Sequence, residues 1–304
     1  MKVAITGISS KLGHVILPLL ESDPEITEVL GIDIKEPETY YSKVKFLQRD
    51  VRDESLAEEF KGYDVLMHLA FIIRPPLPKD FFSINVDGSK NVFNSAIQAG
   101  VKKIIYSSSI AAYGSFPDNP IPITEDHPIR LTEPKFYYNE TKYIVEKYLE
   151  KLESENPEII FTRFRPCIIL FGKALLMNDK KVLSIAPEVP GQYIWGDDLA
   201  QAFYLATKKN APGIFNMAGD NPLTSREIAE RLGMKLVTIN WHVAKFLVGF
   251  TYKLHLQKKI NTGWVWAARY PTVVDCSKAK KELGWNPQFD TLGSIKKNLE
   301  VHYG

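Results

Sequence analysis

Cysteine is scarce. The 304 residues hold two, Cys167 and Cys276. Two cysteines make neither a disulfide framework nor a zinc set, and they fit a reducing compartment. Charge of one sign is scarce too. The formal net charge is +2, which gives no global argument for a nucleic-acid partner. No apolar run approaches the length of a membrane span. The opening MKVAITGISS has too short an apolar stretch for a signal peptide. These absences lead us to expect a cytoplasmic chain with no membrane span, no nucleic-acid partner and no metal site. Two absences are regional. All five tryptophans lie from Trp195 onward, and between Arg231 and Val274 seven Lys/Arg stand with no acid among them.

The remaining composition, 45% hydrophobic and 24% charged, is ordinary for a globular protein. The length predicts two domains or one elaborated domain. Residues Lys2 to Thr6 read as a buried strand. Gly7-Ile8-Ser9-Ser10-Lys11-Leu12-Gly13 follows, then a helical apolar pattern at Val15, Ile16, Leu19 and Leu20. Strand, glycine-rich turn and helix together aim free backbone N–H groups at a pyrophosphate. Ser10 stands where the middle glycine of the fingerprint would be, and its hydroxyl can donate to a phosphate. Pro18 predicts a kink or a late helix start.

Glu28 to Asp33 reads as a second strand ending in an acid, at the offset a dinucleotide fold requires. A carboxylate there accepts from ribose hydroxyls and repels a 2′-phosphate, which predicts NAD over NADP. Lys11 and Lys35 are the counterweight, and a plain loop cap is the other reading of Asp33. Further strands are predicted over Lys45 to Val51, Tyr63 to Ala70 and Lys103 to Ser107, with a helix over Asn85 to Ala99. The alternation predicts a parallel, doubly wound sheet. His68, in an apolar strand, reads as a satisfied core histidine rather than a catalytic one.

The run FYYNETKYIVEKYLEKLE has helical periodicity at Tyr137, Ile144, Val145, Tyr148 and Leu152. Tyr138 and Lys142, four apart, therefore share a face. A cation beside a phenol lowers its pKa, so the pair can abstract a proton. Ser109, past the carboxyl end of a predicted strand, either caps the backbone or positions a reacting oxygen.

With TGISSKLG, Asp33, Asp50-Val51, HLAF at 68–71, NVDGSKNV, YSSSIAAYG, YNETK, RPCIILFG, IWGDDLA and CSKAKKELGWNP in this order, the sequence resembles the extended short-chain dehydrogenase/reductase family, the group of NAD-dependent epimerases and dehydratases. The resemblance implies an α/β fold, a doubly wound parallel (Rossmann) sheet with a smaller C-terminal substrate-binding region. The dinucleotide-binding domain is expected over 1–171, returning at 193–218. The substrate-binding region is expected over 172–192 and 219–304. The resemblance implies NAD as cofactor, with Gly7, Ser10, Lys11, Leu12, Gly13 and Asp33 binding it. It places Asp50 and Val51 at the adenine, and Leu69, Ala70 and Ser107 in the same cofactor set. Asn85 is implied near the active site, Lys142 at the nicotinamide ribose, and Pro166, Cys167 and Ile168 along the nicotinamide. It makes Ser109, Tyr138 and Lys142 the catalytic set for hydride transfer at a secondary alcohol or ketone. Phe71, Ile72, Ser109 and Trp195 are expected at a small-molecule substrate, and a homodimer is implied through the helices matching Asn85–Ala99 and Tyr137–Leu152.

Three departures sharpen this. Ile110 and Ala111 replace the acids that follow the serine in family dehydratases, which disfavours water elimination. Gly191-Gln192 precedes Tyr193 where sugar-nucleotide enzymes carry an arginine. The segment from Lys173 to Gly191 is short, and the pocket candidates Phe71-Ile72-Ile73, Pro75-Pro76-Leu77, Leu175-Leu176-Met177 and Trp195 are apolar. A substrate smaller or more apolar than the usual nucleotide sugar is expected, with a nucleotide-sugar epimerase and a non-catalytic NAD-binding regulator as alternatives. Lys245, Lys253, Lys258 and Arg269 are the cations that a nucleotide sugar would need. VAKFLVGFTYKLHLQKK reads as an amphipathic helix with Val243, Leu247, Phe250 and Leu254 on one face. It is either a lid with a solvated basic face or a contact for an anionic substrate or a membrane surface.

Overall fold

The computed structural model describes residues 1–303 except 74–77, 133–135, 173–179 and 258–259. The pocket candidates Pro75-Pro76-Leu77 and Leu175-Leu176-Met177, and Lys258, lie outside the described residues. The first six strands are β1 (Lys2–Thr6), β2 (Glu28–Asp33), β3 (Val44–Gln48), β4 (Val65–His68), β5 (Lys103–Ser107) and β6 (Ile160–Pro166). Short strands β7 (Ile168–Leu170), β8 (Lys181–Ser184), β9 (Pro190–Gly191) and β10 (Tyr193–Trp195) precede β11 (Gly213–Met217). The central sheet has seven strands in the order β11-β6-β5-β4-β1-β2-β3, and every pairing in it is parallel. Strand order reverses between β1 and β4. In open α/β sheets that is where a crevice opens at the carboxyl ends and takes ligand.

Helices α1 (Lys11–Ser22), α2 (Leu56–Glu59), α3 (Pro78–Phe82), α4 (Gly88–Gln98), α5 (Tyr137–Glu155) and α6 (Gly196–Lys208) accompany the sheet. Two apolar clusters fill its two faces. One holds Val3, Ile5, Ile16, Leu20, Phe164 and Phe203. The other holds Ala4, Leu66, Phe93, Ile104, Val145 and Leu149. Alternate residues of β1 thus face opposite layers, as a doubly covered strand requires. The helix after the glycine turn starts at Lys11, not late, and continues through Pro18. The expected helix over Asn85 to Ala99 has a π turn at Ser83–Asp87 before α4 begins at Gly88.

The remaining helices are α7 (Ser225–Arg231), α8 (Trp241–Lys253), α9 (Thr262–Ala267) and α10 (Thr291–Tyr303). A third, small cluster joins Leu170, Val182, Leu223, Ile228 and Ile295, with Tyr193 and Trp195 packed against it. Among the described residues no helix is long and apolar enough to cross a membrane.

Candidate active site

The glycine turn sits in the crevice. Gly7 has φ +78, and a Cβ there would lie 2.5 Å from the Ala70 backbone nitrogen. A Cβ on Gly13 would lie 2.2 Å from the Ile8 carbonyl oxygen. Both positions therefore require glycine, and they bring the turn against the end of β4. The Ser10 hydroxyl caps α1 by accepting from the Gly13 N–H at 3.1 Å. Its own proton remains to donate to a phosphate. Leu12 is buried against the first cluster, and Lys11 donates to the Phe171 carbonyl at 3.4 Å. Asp33 accepts from the N–H groups of Ser9 at 3.1 Å and Ile34 at 2.7 Å. It thus acts as a loop cap and still lies beside the turn, so the two readings of this acid are compatible.

Asp50 forms a fork with the Arg52 guanidinium at 2.8 and 2.6 Å, and that hydrogen-bonded pairing holds its carboxyl below its ordinary value. Val51 packs where a Cβ on Gly88 would meet it, at 2.5 Å. Leu69 is buried and donates its N–H to the Thr6 carbonyl at 2.9 Å. Asn85 is wholly buried, and its amide grips both backbone groups of Ile72 at 2.8 Å each. It therefore positions the Phe71-Ile72 loop. Pro166 ends β6, buried Cys167 donates its N–H to the Met217 carbonyl at 2.9 Å, and Ile168 is half exposed. Trp195 packs on the third cluster, so its contacts are with the C-terminal core rather than with Tyr138.

Ser109, Tyr138 and Lys142 come together. Ser109 caps a 3-10 turn, accepting from the Ala111 N–H at 3.1 Å, and its hydroxyl lies near enough to the Tyr138 phenol to favour the charged form. Tyr138 and Lys142 sit on one face of α5, with the ammonium 5.9 Å from the phenol ring. That nitrogen donates to Tyr106 Oη at 3.1 Å and to the Ser107 carbonyl at 2.7 Å. The Phe71 ring lies over it at 3.4 Å. Lys142 is 2% exposed. Burial pulls its pKa well below the ordinary value, with Glu146 one turn on opposing. Burial also raises the Tyr138 phenol, and the nearby Ser109 hydroxyl opposes that. The ammonium shares the helix face of the phenol, as its spacing predicts, without a hydrogen bond to it. In this arrangement its hydrogen bonds run to Tyr106 and Ser107.

Several supporting residues escaped the sequence reading. Asn139 accepts from the Thr132 N–H at 2.7 Å and donates to the carbonyls of Ala111 and Arg130 at 2.7 and 2.9 Å. It ties the Ser109 turn to the start of α5. Glu146 is buried and accepts a two-point contact from Arg165 at 2.8 and 2.6 Å and a hydrogen bond from the Ser108 hydroxyl at 2.5 Å. Burial alone would raise this carboxyl, but Arg165, Ser108 and Arg163 outweigh it and hold the pKa below its ordinary value. Trp264 of α9 stacks on Tyr138 at 5.7 Å, and Phe71 and Phe136 meet the same ring at 5.8 and 6.1 Å. A lone tryptophan far along the chain gave no periodic signal.

His68 is the satisfied core histidine its setting predicts. Thr6 donates to its Nδ1 at 2.6 Å, and its Nε2–H reaches Ser89 Oγ at 2.8 Å. Ser89 in turn donates to the Asn85 carbonyl at 2.5 Å, which fixes the tautomer. Burial, with a smaller push from Lys142, drives its pKa down to about 3.

A family model described as "NAD dependent epimerase/dehydratase family" matches residues 3–183. Over 231 residues the chain is 25% identical to the 3 beta-hydroxysteroid dehydrogenase/Delta 5→4-isomerase of Vaccinia virus, an alignment covering 73% of this chain and 61% of that protein. Over 318 residues it is 24% identical to a putative UDP-glucose 4-epimerase of Methanocaldococcus jannaschii, covering 97% and 96%. Among solved structures, the UDP-glucose 4-epimerase of Thermotoga maritima with UDP-glucose matches with a TM-score of 0.76 and 22% identity, covering 99% of this chain and 98% of that one. The UDP-glucose-4-epimerase of Stenotrophomonas maltophila, with bound NAD and formylated UDP-arabinopyranose, matches with 0.75 and 17%, covering 99% and 97%. At these identities the structural likeness concerns the fold.

Proposed function

The chain belongs to the NAD dependent epimerase/dehydratase family, and we propose that it moves a hydride at a secondary alcohol or ketone whose body is apolar. The observation that carries this is the meeting of Ser109, Tyr138 and Lys142 past the carboxyl end of β5, with the Tyr138 ring walled by Phe71, Phe136 and Trp264. The residues of the crevice fit a dinucleotide. The Gly7 and Gly13 positions admit no Cβ, Ser10 opens α1 with a free hydroxyl proton, and Asp33 stands beside the turn. The acid favours NAD over NADP. When bound, NAD supplies the hydride acceptor or donor.

The chain's own residues do the rest. Ser109 holds the carbinol oxygen while Tyr138, as the phenolate favoured by the Lys142 charge on the same helix face, takes its proton. Lys142 supports a ribose hydroxyl from its buried seat, for which the Phe71 ring must turn off the ammonium. Glu146 and Arg165 fix the α5 face that carries both. Retention of Ser109, Tyr138 and Lys142 favours an enzyme over a cofactor-sensing regulator. Ile110 and Ala111 leave elimination without its acid and base. Gln192 is occupied by backbone, with its amide on Gly219, Val274 and the Val274 N–H. It offers no charge to a diphosphate. A homodimer through α4 and α5 rests on the family resemblance, and two buried thiols support a reducing, cytoplasmic setting.

A nucleotide-sugar epimerase is the second reading. It draws on the Methanocaldococcus jannaschii relative, which aligns over nearly all of both chains, and on Lys245, Lys253 and Arg269. Calorimetry on the NAD-loaded protein separates the two. The proposal expects no saturable micromolar binding of UDP, dTDP or GDP, and NADH formation with hydrophobic secondary alcohols. Micromolar diphosphate binding that is lost on Arg269→Ala restores the epimerase. In the same cell NAD is expected to bind more tightly than NADP, with Asp33→Ala narrowing the gap.

A further inference from the structure

Helix α8 is amphipathic with its apolar stripe turned the wrong way for a core. Val243, Phe246, Leu247, Phe250 and Leu254 recur at helical spacing, and each is half exposed or more, with Phe246 at 68%. The helix has no buried residue. Among the described residues, thirteen large hydrophobics are exposed, and six of them fall between Val243 and Leu256. Each leaves about half of its apolar surface or more in water. A concentration of that kind marks a contact surface. Phe246 and Phe250 stack on each other, rings 6.0 Å apart, so the stripe has a preformed aromatic ridge.

The surrounding charge decides what meets it. From Arg231 to Val274 every formal charge is positive, seven in all. Lys245 and Lys253 lie exposed on α8 itself. The Arg269 guanidinium packs on Trp241 and Trp266 at 4.3 and 5.3 Å. This is the combination of apolar stripe, flanking cations and tryptophans found at a lipid–water boundary. A second copy fits badly. A two-fold contact sets the same patch against itself, and here it would set exposed Lys245 and Lys253 against their own copies.

We infer that α8 docks on an anionic phospholipid surface, with Phe246, Leu247 and Phe250 entering the acyl boundary and Lys245 and Lys253 at the headgroups. Helix α8 packs on α9, where a Cβ on Gly249 would lie 3.3 Å from Thr262 Cγ2, and α9 carries the Trp264 ring that covers Tyr138. The docked face is therefore one helix away from the reacting phenol. The inference goes beyond the proposed reaction and does not depend on it, because binding is read without turnover.

The test is sedimentation of the full chain with vesicles of phosphatidylcholine alone and of an equal mixture with phosphatidylglycerol. The protein is expected to pellet with the mixed vesicles, weakly with the neutral ones, and less as salt rises. Phe246→Glu/Phe250→Glu is expected to lower vesicle affinity about tenfold or more, as is Lys245→Glu/Lys253→Glu. These side chains are exposed, so circular dichroism and thermal unfolding should stay unchanged. Failure to pellet with anionic vesicles at low salt would overturn the inference. So would equal binding to neutral vesicles, or binding that Phe246→Glu/Phe250→Glu leaves intact. Self-association removed by the same variants, without vesicle binding, would assign the face to a second copy instead.

Discussion

Helices α5 and α8 carry the same kind of apolar stripe and use it in opposite ways. In α5, Val145, Leu149 and Leu152 are buried against the sheet. In α8 the stripe of Val243, Phe246, Leu247 and Phe250 faces out. The charges follow suit. The α5 helix buries Lys142 and Glu146 and gives each a partner, while α8 keeps its cations on the surface. Periodicity fixes which residues share a face. What that face meets depends on the rest of the chain, so equal patterns need not mean equal roles. Helix α5 is held by internal contacts that set a chemical site. On our account, α8 is completed by a surface outside the protein.

Three measurements of stability would break or sharpen that contrast. Removing the buried charge of α5 should do most. Glu146→Gln leaves Arg165 buried without its counter-charge, and urea unfolding should show a loss of about 3–5 kcal/mol. A loss below about 1 kcal/mol would mean that α5 does not depend on this pair. Acid should act next. His68 is neutral in the fold with a pKa near 3, against about 6.5 unfolded. Between those values the unfolded chain holds a proton that the folded chain does not. Stability is therefore complete above about pH 6.5 and falls as pH drops towards 3, by up to about 1.4 kcal/mol per unit. Unfolding at a series of pH values should show a shallower dependence in His68→Gln, and an unchanged slope would contradict the buried neutral histidine. Smallest of all is α8. Phe246→Glu/Phe250→Glu should shift stability within about 0.5 kcal/mol, and a larger loss would place that stripe in the core after all.

Much of the nucleotide-binding half was legible. Lys2–Thr6, Glu28–Asp33 and Lys103–Ser107 are strands at the bounds the sequence predicts, because apolar runs between turn residues leave little choice. Tyr138 and Lys142 share a helix face because helical spacing is local. The departures are contacts between distant segments. Nothing local ties Glu146 to Arg165, Asn139 to the Ala111 turn, or Trp264 to Tyr138. Nor does spacing foretell which way a lysine turns. Lys142 hydrogen-bonds Tyr106 and Ser107, which belong to β5. Asn85, implied near the active site, holds the Ile72 backbone. The outward stripe of α8 was legible as a stripe, and its orientation was not.

The claim at the centre is that Tyr138 exchanges the substrate's proton. NADH absorbance during turnover of a hydrophobic secondary alcohol, compared between the unmodified protein and Tyr138→Phe, tests it most directly, with NAD affinity measured alongside. The account predicts that kcat falls about 10²–10⁴-fold while NAD binds nearly as before. Full turnover in Tyr138→Phe with NAD bound would contradict it.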